Sequence, residues 1–98
     1  MRVHLDLNNT EFQKEWFDLT KDDFIATQNT LRKLSFMDWN QVYHDKGLNW
    51  EKIQSIRTQK GRQLFAIRLS RKHRAVVYRR EDFMIFVSLH PDHNSAYR

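Results

Sequence analysis

The chain contains no cysteine among its 98 residues, which excludes disulfide bonds and thiolate-ligated metal sites. No apolar run approaches the roughly 18 residues that a membrane-spanning helix requires. The N-terminal stretch MRVHLDLNNTEF lacks a basic segment followed by an apolar block, which argues against a signal peptide. These absences predict a cytoplasmic protein. A length of 98 residues with 40% hydrophobic content predicts a single domain over residues 1–98.

Features that mark some common enzyme classes are missing as well. The sequence has no Gly-rich phosphate loop, no internal repeat and no low-complexity tract. Nucleotide hydrolases therefore have no support, and we expect no cofactor.

Positive charge is concentrated in the second half of the chain. The net charge is +5, yet residues 1–51 carry six basic and nine acidic side chains, whereas residues 52–80 carry ten basic and no acidic ones. This asymmetry predicts a polyanionic partner, and nucleic acid is favoured over a membrane because no basic amphipathic helix stands out. A solvated charged face is the alternative interpretation.

The hydrophobic pattern of the first half predicts one strand followed by helices. Residues 3–7 alternate between apolar and polar side chains, as a short half-buried strand does. Helical spacing follows over residues 10–19 and over residues 20–34, with Thr20 as the expected N-cap of the second helix. The apolar stripe predicted for that helix consists of Phe24, Ile25, Leu31 and Leu34. Within residues 36–48, a short helix ended by Gly47 is possible.

The second half changes to period two and predicts an antiparallel meander. The expected strands cover residues 53–56, 64–69, 74–80 and 83–90, with connections short enough for hairpins. The combination predicts an α+β domain in which an N-terminal strand and two helices pack on one face of an antiparallel β-sheet. Phe65, Ile67 and Leu69 would then face the core, while Ala66 and Arg68 would face the uncovered side.

The segment from residue 61 onwards resembles the C-terminal half of the RelE/ParE superfamily, the toxins of bacterial type II toxin-antitoxin modules. The matching features, in chain order, are Gly61, a strand containing Arg68, a strand from Arg74 to Tyr78, the acidic turn Glu81-Asp82, the apolar strand 83–89, and His93 with Tyr97. The ending DHNSAY is particularly similar to the ParE-like branch. The resemblance implies a curved antiparallel sheet with two helices packed on it.

For members similar to RelE, the resemblance implies a metal-independent endonuclease that cuts mRNA on the ribosome and inhibits translation. The ribose 2′-hydroxyl is the nucleophile in such cleavage, so the site needs a general base, a general acid and cations at the phosphate. The candidate catalytic residues are Arg68 and Arg74 as a phosphate clamp, His93 as acid or base, and Tyr97 for base stacking or phosphate orientation. Possible supporting residues are His90 and Asp92. Candidate RNA-binding residues are Lys60, Arg62, Arg71, Lys72 and His73.

The sequence departs from the family pattern at two points. Ala66 stands beside Arg68 where ribosome-dependent relatives often carry lysines, and no acidic residue lies between Glu51 and Glu81. The sequence therefore does not identify the general base.

Other functions stay open at this point. The same family includes ParE-type inhibitors of DNA gyrase, which cleave nothing themselves, and an inert basic scaffold for RNA or a partner is a third interpretation. Either toxin function implies a small acidic antitoxin that covers the basic face, and no membrane partner. Arg68, Arg74 and His93 could also be ordinary surface residues, and Tyr97 could simply anchor the tail. A metal site over residues 90–93 is disfavoured because two nitrogens and one carboxylate make a poor tetrahedral set.

Overall fold

The structure, a computed structural model, describes residues 1–57 and 61–91, with side chains described for all of them except residues 55–57. It is an α+β fold, as predicted. Its elements are β1 (His4–Asp6), α1 (Thr10–Phe17), α2 (Lys21–Leu34), α3 (Trp39–His44), β2 (Glu51–Arg57), β3 (Gln63–Arg68), β4 (His73–Arg80) and β5 (Phe83–Pro91). None of the described helices is long and apolar enough to cross a membrane.

The five strands form one mixed sheet in the order β1-β5-β4-β3-β2. Strands β2 to β5 make the predicted antiparallel meander, but β1 runs parallel to β5, so the prediction of a purely antiparallel sheet was wrong. The chain passes through all three helices before it enters the meander, and a crossover of that kind can join parallel strands. The His4 backbone N–H donates to the Asp82 carbonyl at 3.0 Å, which fixes the start of β1 at the β4–β5 turn.

Side-chain caps set where the helices begin. Asn9 Oδ1 accepts from the Glu11 N–H at 2.8 Å at the start of α1, and Thr20 Oγ1 accepts from the Asp23 N–H at 3.4 Å at the start of α2, as expected for an N-cap. The described residues form three helices, which are the two predicted ones and the short helix that the sequence left open within residues 36–48. Helix α3 begins in a capping box between Asp38 and Gln41, and it ends at His44, before Gly47.

The helices cover one face of the sheet and build the main core there. Buried helix side chains include Phe12, Leu31, Leu34 and Val42. They face Ile67, Ala75, Val77 and Phe86 of the strands, together with Leu69 directly after β3. Ile67 and Leu69 face this core as predicted, with Phe65 packed at its edge. The prediction for Ile25 was wrong, since its side chain is 42% exposed. Thr27 is buried instead because positions 27, 31 and 34 form the inward stripe of α2.

The opposite face of the sheet, which we call the outer face, carries a second apolar cluster. Ile53, Leu64, Ala66 and Val76 are buried in it, each at most 4% exposed. Ala66 faces away from the helices as predicted, and its neighbours in this cluster bury it completely. Polar side chains of the outer face lie next to this cluster, at the end of the sheet near the β3–β4 turn.

Asp45 should make the stability of the fold depend on acid pH. Lys33 Nζ lies 3.0 Å from its Oδ2, and this hydrogen bond lowers the pKa of Asp45 below the ordinary value of 3.8, while partial burial opposes the shift. Because the folded pKa is lowered, the stabilisation is fully present at neutral pH. It is lost as the pH falls through 3.8 and then through the lowered value.

We therefore expect Asp45→Asn to be less stable than the native chain at pH 7 and equally stable in strong acid. Urea denaturation of both proteins across pH 2 to 7 measures this difference. A gap that persists unchanged at the lowest pH would show that the ionised carboxylate is not its source.

Candidate active site

Three polar side chains lie in one row across the outer face. In the sheet register, Arg68 of β3 stands opposite Arg74 of β4, and Arg74 stands opposite His90 of β5. Directly opposed residues in an antiparallel sheet have Cβ atoms about 5 Å apart and share a face. The row therefore brings two guanidinium groups and an imidazole side by side.

A β-bulge on β5 decides the direction of His90. Val76 pairs with Ser88 and Val77 pairs with Phe86, so Val87 is an extra residue on β5. Without it, strict alternation from Phe86 would turn positions 88 and 90 towards the helices. With the bulge, Leu89 joins the main core, and Ser88 and His90 face outward.

Ser88 holds the His90 ring in place. Its Oγ lies 2.7 Å from His90 Nε2, with the direction of the proton set by the imidazole tautomer. Ser88 is buried at 8% exposure, whereas His90 is half-buried and so reachable from solvent. The ring is thus oriented from one side and accessible from the other.

Arg74 is the most enclosed charged residue of this row. It is 7% exposed, and its Nη1 lies 3.2 Å from Oε1 of Glu51 in an ion pair. Glu51 is on β2 and pairs with Ala66 of β3, so the guanidinium reaches it across β3. The small side chain of Ala66 leaves space for this crossing. Nη2 also approaches the Asn49 carbonyl at 3.5 Å.

Arg68 connects the row to the β3–β4 turn. Its Nη1 donates to the Arg71 carbonyl at 3.2 Å. Arg71 and Lys72 are exposed at this turn, and His73 is half-buried at the start of β4. Ser70 Oγ accepts from the backbone N–H groups of Lys72 and His73, at 3.2 and 3.1 Å, which fixes the turn.

Arg62, which was also predicted for the site, lies away from the row. Arg62 stacks over the Tyr78 ring at 4.8 Å, and Tyr78 is four residues from Arg74 along β4, roughly 13 Å away. Four further residues predicted for the site lie outside the described residues: Lys60, Asp92, His93 and Tyr97.

Comparison with models of known families, with curated proteins and with solved structures found no match to this chain. The site itself is therefore what indicates the function.

The sequence interpretation did not include Glu51 in the site. Its position before a run of basic residues was visible, but an acid on β2 and an arginine on β4 are 23 positions apart and not on neighbouring strands. The sequence feature that could have indicated the Glu51–Arg74 contact is the small residue Ala66, the only alanine of β3, on the strand between β2 and β4. A small side chain on the middle strand lets a long one from a flanking strand reach across.

This arrangement combines the groups that phosphodiester cleavage needs. Two planar guanidinium groups can hold a phosphate, a carboxylate can accept a proton, and an imidazole can donate one. Glu51 pairs with Arg74, and the excess of basic residues over positions 52–80 favours an anionic ligand at this row. Half of the Glu51 side chain, 51%, is exposed, which gives a substrate hydroxyl access to it.

Proposed function

We propose that this protein is the toxin of a type II toxin-antitoxin module of the RelE/ParE kind. It acts in the cytoplasm as a metal-independent endonuclease on ribosome-bound mRNA and thereby inhibits translation. The observation that carries the proposal is the placement of Glu51, Arg68, Arg74 and His90 on one patch of the outer face.

The first step is attack of the ribose 2′-hydroxyl on the adjacent phosphorus. Glu51 accepts the hydroxyl proton, and the new O–P bond forms as the bond to the 5′-oxygen breaks. Arg68 and Arg74 stabilise the extra negative charge on the phosphoryl oxygens, and fixed planar donors suit this task. The products are a 2′,3′-cyclic phosphate and a 5′-hydroxyl end.

Proton donation to the leaving 5′-oxygen is the role of His90. Histidine is the side chain best suited to proton transfer near neutral pH, and the contact with Ser88 fixes the ring direction. His93 and Tyr97 stay candidates for this site, as acid or base and for stacking a base respectively.

A nuclease has a chemical use for this constellation, whereas a gyrase inhibitor without catalytic activity has none. A carboxylate, two guanidinium groups and an oriented imidazole converge within one small area. A binding surface for a protein partner needs no such convergence, and this favours the nuclease over the inhibitor.

The test is induced expression in bacteria, followed by mapping of 5′ ends on abundant messages and a check of plasmid supercoiling. We expect new ends at fixed codon positions with the native chain. Glu51→Gln and His90→Gln should each lower cleavage about a hundredfold, the lower limit for loss of a general acid or base. His93→Ala is included because the sequence makes that residue an equal candidate.

Matched controls are Glu11→Gln and His44→Gln, which change the same residue types at exposed positions on the helices. They should cleave like the native chain. Intact messages with altered supercoiling would contradict the nuclease and favour the gyrase inhibitor. Unchanged cleavage by both Glu51→Gln and His90→Gln would show that this row is not the active site.

The proposal also includes an antitoxin as the protein partner. The basic second half of the chain favours a small acidic protein whose segment covers the outer face and blocks the Arg68–Arg74 row. Such a segment would become ordered on binding.

A further inference from the structure

A cleft of about 360 Å³ lies between the beginning of α2 and the β3–β4 turn. Its lining residues are Asp23, Ala26, Ser70, Arg71 and Lys72. The volume is within the range of sites that take small molecules, which starts near 300 Å³. None of these residues belongs to the Arg68–Arg74–His90 row.

Side chains of opposite charge line the two sides of the cleft, with Asp23 on α2 and Arg71 and Lys72 at the turn. Within the described part of the chain, the Asp23 carboxylate forms no ion pair with Arg71 or Lys72, although all three line the same space. The cleft thus offers cations on one wall and a hydrogen-bond acceptor on the other. A fitting ligand has an anionic end and an edge of N–H donors, and a nucleotide has both.

The cleft meets the candidate active site at the β3–β4 turn, since α2 lies on the other side of the sheet from the outer face. A smaller hollow of about 160 Å³ adjoins it, lined by Arg68 and Ser70 together with Thr30 and Lys33 of α2. Ser70 lines both spaces, and the Arg68 guanidinium contacts the Arg71 carbonyl at the same turn. An RNA strand whose phosphate lies on Arg68 can place a neighbouring nucleotide in the cleft when it passes around this turn.

The Asp23 carboxylate can discriminate between bases through hydrogen bonds. Unstacked bases of single-stranded RNA are read by hydrogen bonds along their Watson–Crick edges. Guanine presents its N1–H and N2–H groups side by side, and the two oxygens of a carboxylate can accept both. Uracil offers a single N–H on that edge. Ala26 contributes a small apolar wall against which a flat base can lie.

We infer that this cleft binds the base of a nucleotide next to the scissile phosphate and that Asp23 selects guanine there. The inference rests on the proposed RNA cleavage at the neighbouring row. Arg71 and Lys72 bind the phosphate of the same nucleotide. A carboxylate in the first turn stabilises the dipole of α2, but Asp22 is in that turn as well. Asp22 is exposed and does not line the cleft, so the dipole alone does not account for a carboxylate in the cleft.

The experiment measures binding of short labelled RNAs by fluorescence anisotropy with the full chain. The RNAs carry a 2′-deoxyribose at the cleavage position, which prevents cleavage, and differ only in the neighbouring base: guanine, hypoxanthine or uracil. Hypoxanthine lacks the 2-amino group, so the native protein should bind the guanine RNA about tenfold more tightly than the hypoxanthine RNA. Asp23→Asn should abolish this preference, and Asp22→Asn should keep it.

Equal affinity of the native chain for the three RNAs, or a guanine preference that survives Asp23→Asn, would overturn the inference. Message cleavage in cells without any guanine preference would overturn the inference alone and leave the proposed function standing. Absence of both cleavage and RNA binding would overturn the two together.

Discussion

Replacing Arg74 by lysine is expected to lower the rate of RNA cleavage about a hundredfold while the protein stays folded. Lysine keeps a positive charge beside Glu51, so the ion pair at 3.2 Å can be partly retained. It lacks the planar fork that holds two phosphoryl oxygens at once, and stabilisation of the transition state depends on that geometry. Single-turnover cleavage of a message bound to ribosomes measures the effect, and thermal unfolding checks the fold.

Arg80→Lys is the matched control, because Arg80 is on the same strand but is exposed at its far end. It should cleave at the native rate. A fully active Arg74→Lys variant would show that charge alone is enough at this position, and the proposed phosphate clamp would then be wrong.

Truncating Phe12 to alanine should produce the largest loss of stability, about 3–5 kcal/mol in the free energy of unfolding. Phe12 is fully buried, and its ring centroid lies 5.1 Å from that of Phe86 on β5. The substitution leaves a cavity between α1 and the sheet that close-packed neighbours can fill only in part. A loss of this size is a large fraction of the total stability of a small domain.

Phe17→Ala provides the comparison within the same helix, since its ring is 61% exposed. It should cost about 1 kcal/mol or less. Urea denaturation of the three proteins gives the free energies, provided that the dependence on denaturant is the same for all. Similar losses for the two variants would mean that Phe12 is not packed as described.

Much of the fold followed from local patterns. The four strands of the second half came from period-two alternation, and Thr20 was recognised as a cap from its position before an apolar stripe. The partner of β1 did not follow, since nothing within residues 4–6 encodes whether β5 lies beside it in parallel or antiparallel orientation.

The candidate site was predictable in part. Alternation along β3 turned Arg68 away from the helices, and the register of the β3–β4 hairpin placed Arg74 opposite it. The burial of Arg74 against Glu51 was not predictable, because it depends on a contact across a strand that lies between them.

By itself, the amino-acid sequence determined the α+β class, the order of the strands along the chain and the concentration of positive charge in the second half. These are properties of neighbouring residues, and periodicity reports them directly. Only the tertiary structure decided that His90 faces the arginines, because one extra residue at Val87 reverses the alternation of β5. Only the tertiary structure decided that Glu51 pairs with Arg74, because that contact needs β2, β3 and β4 in register.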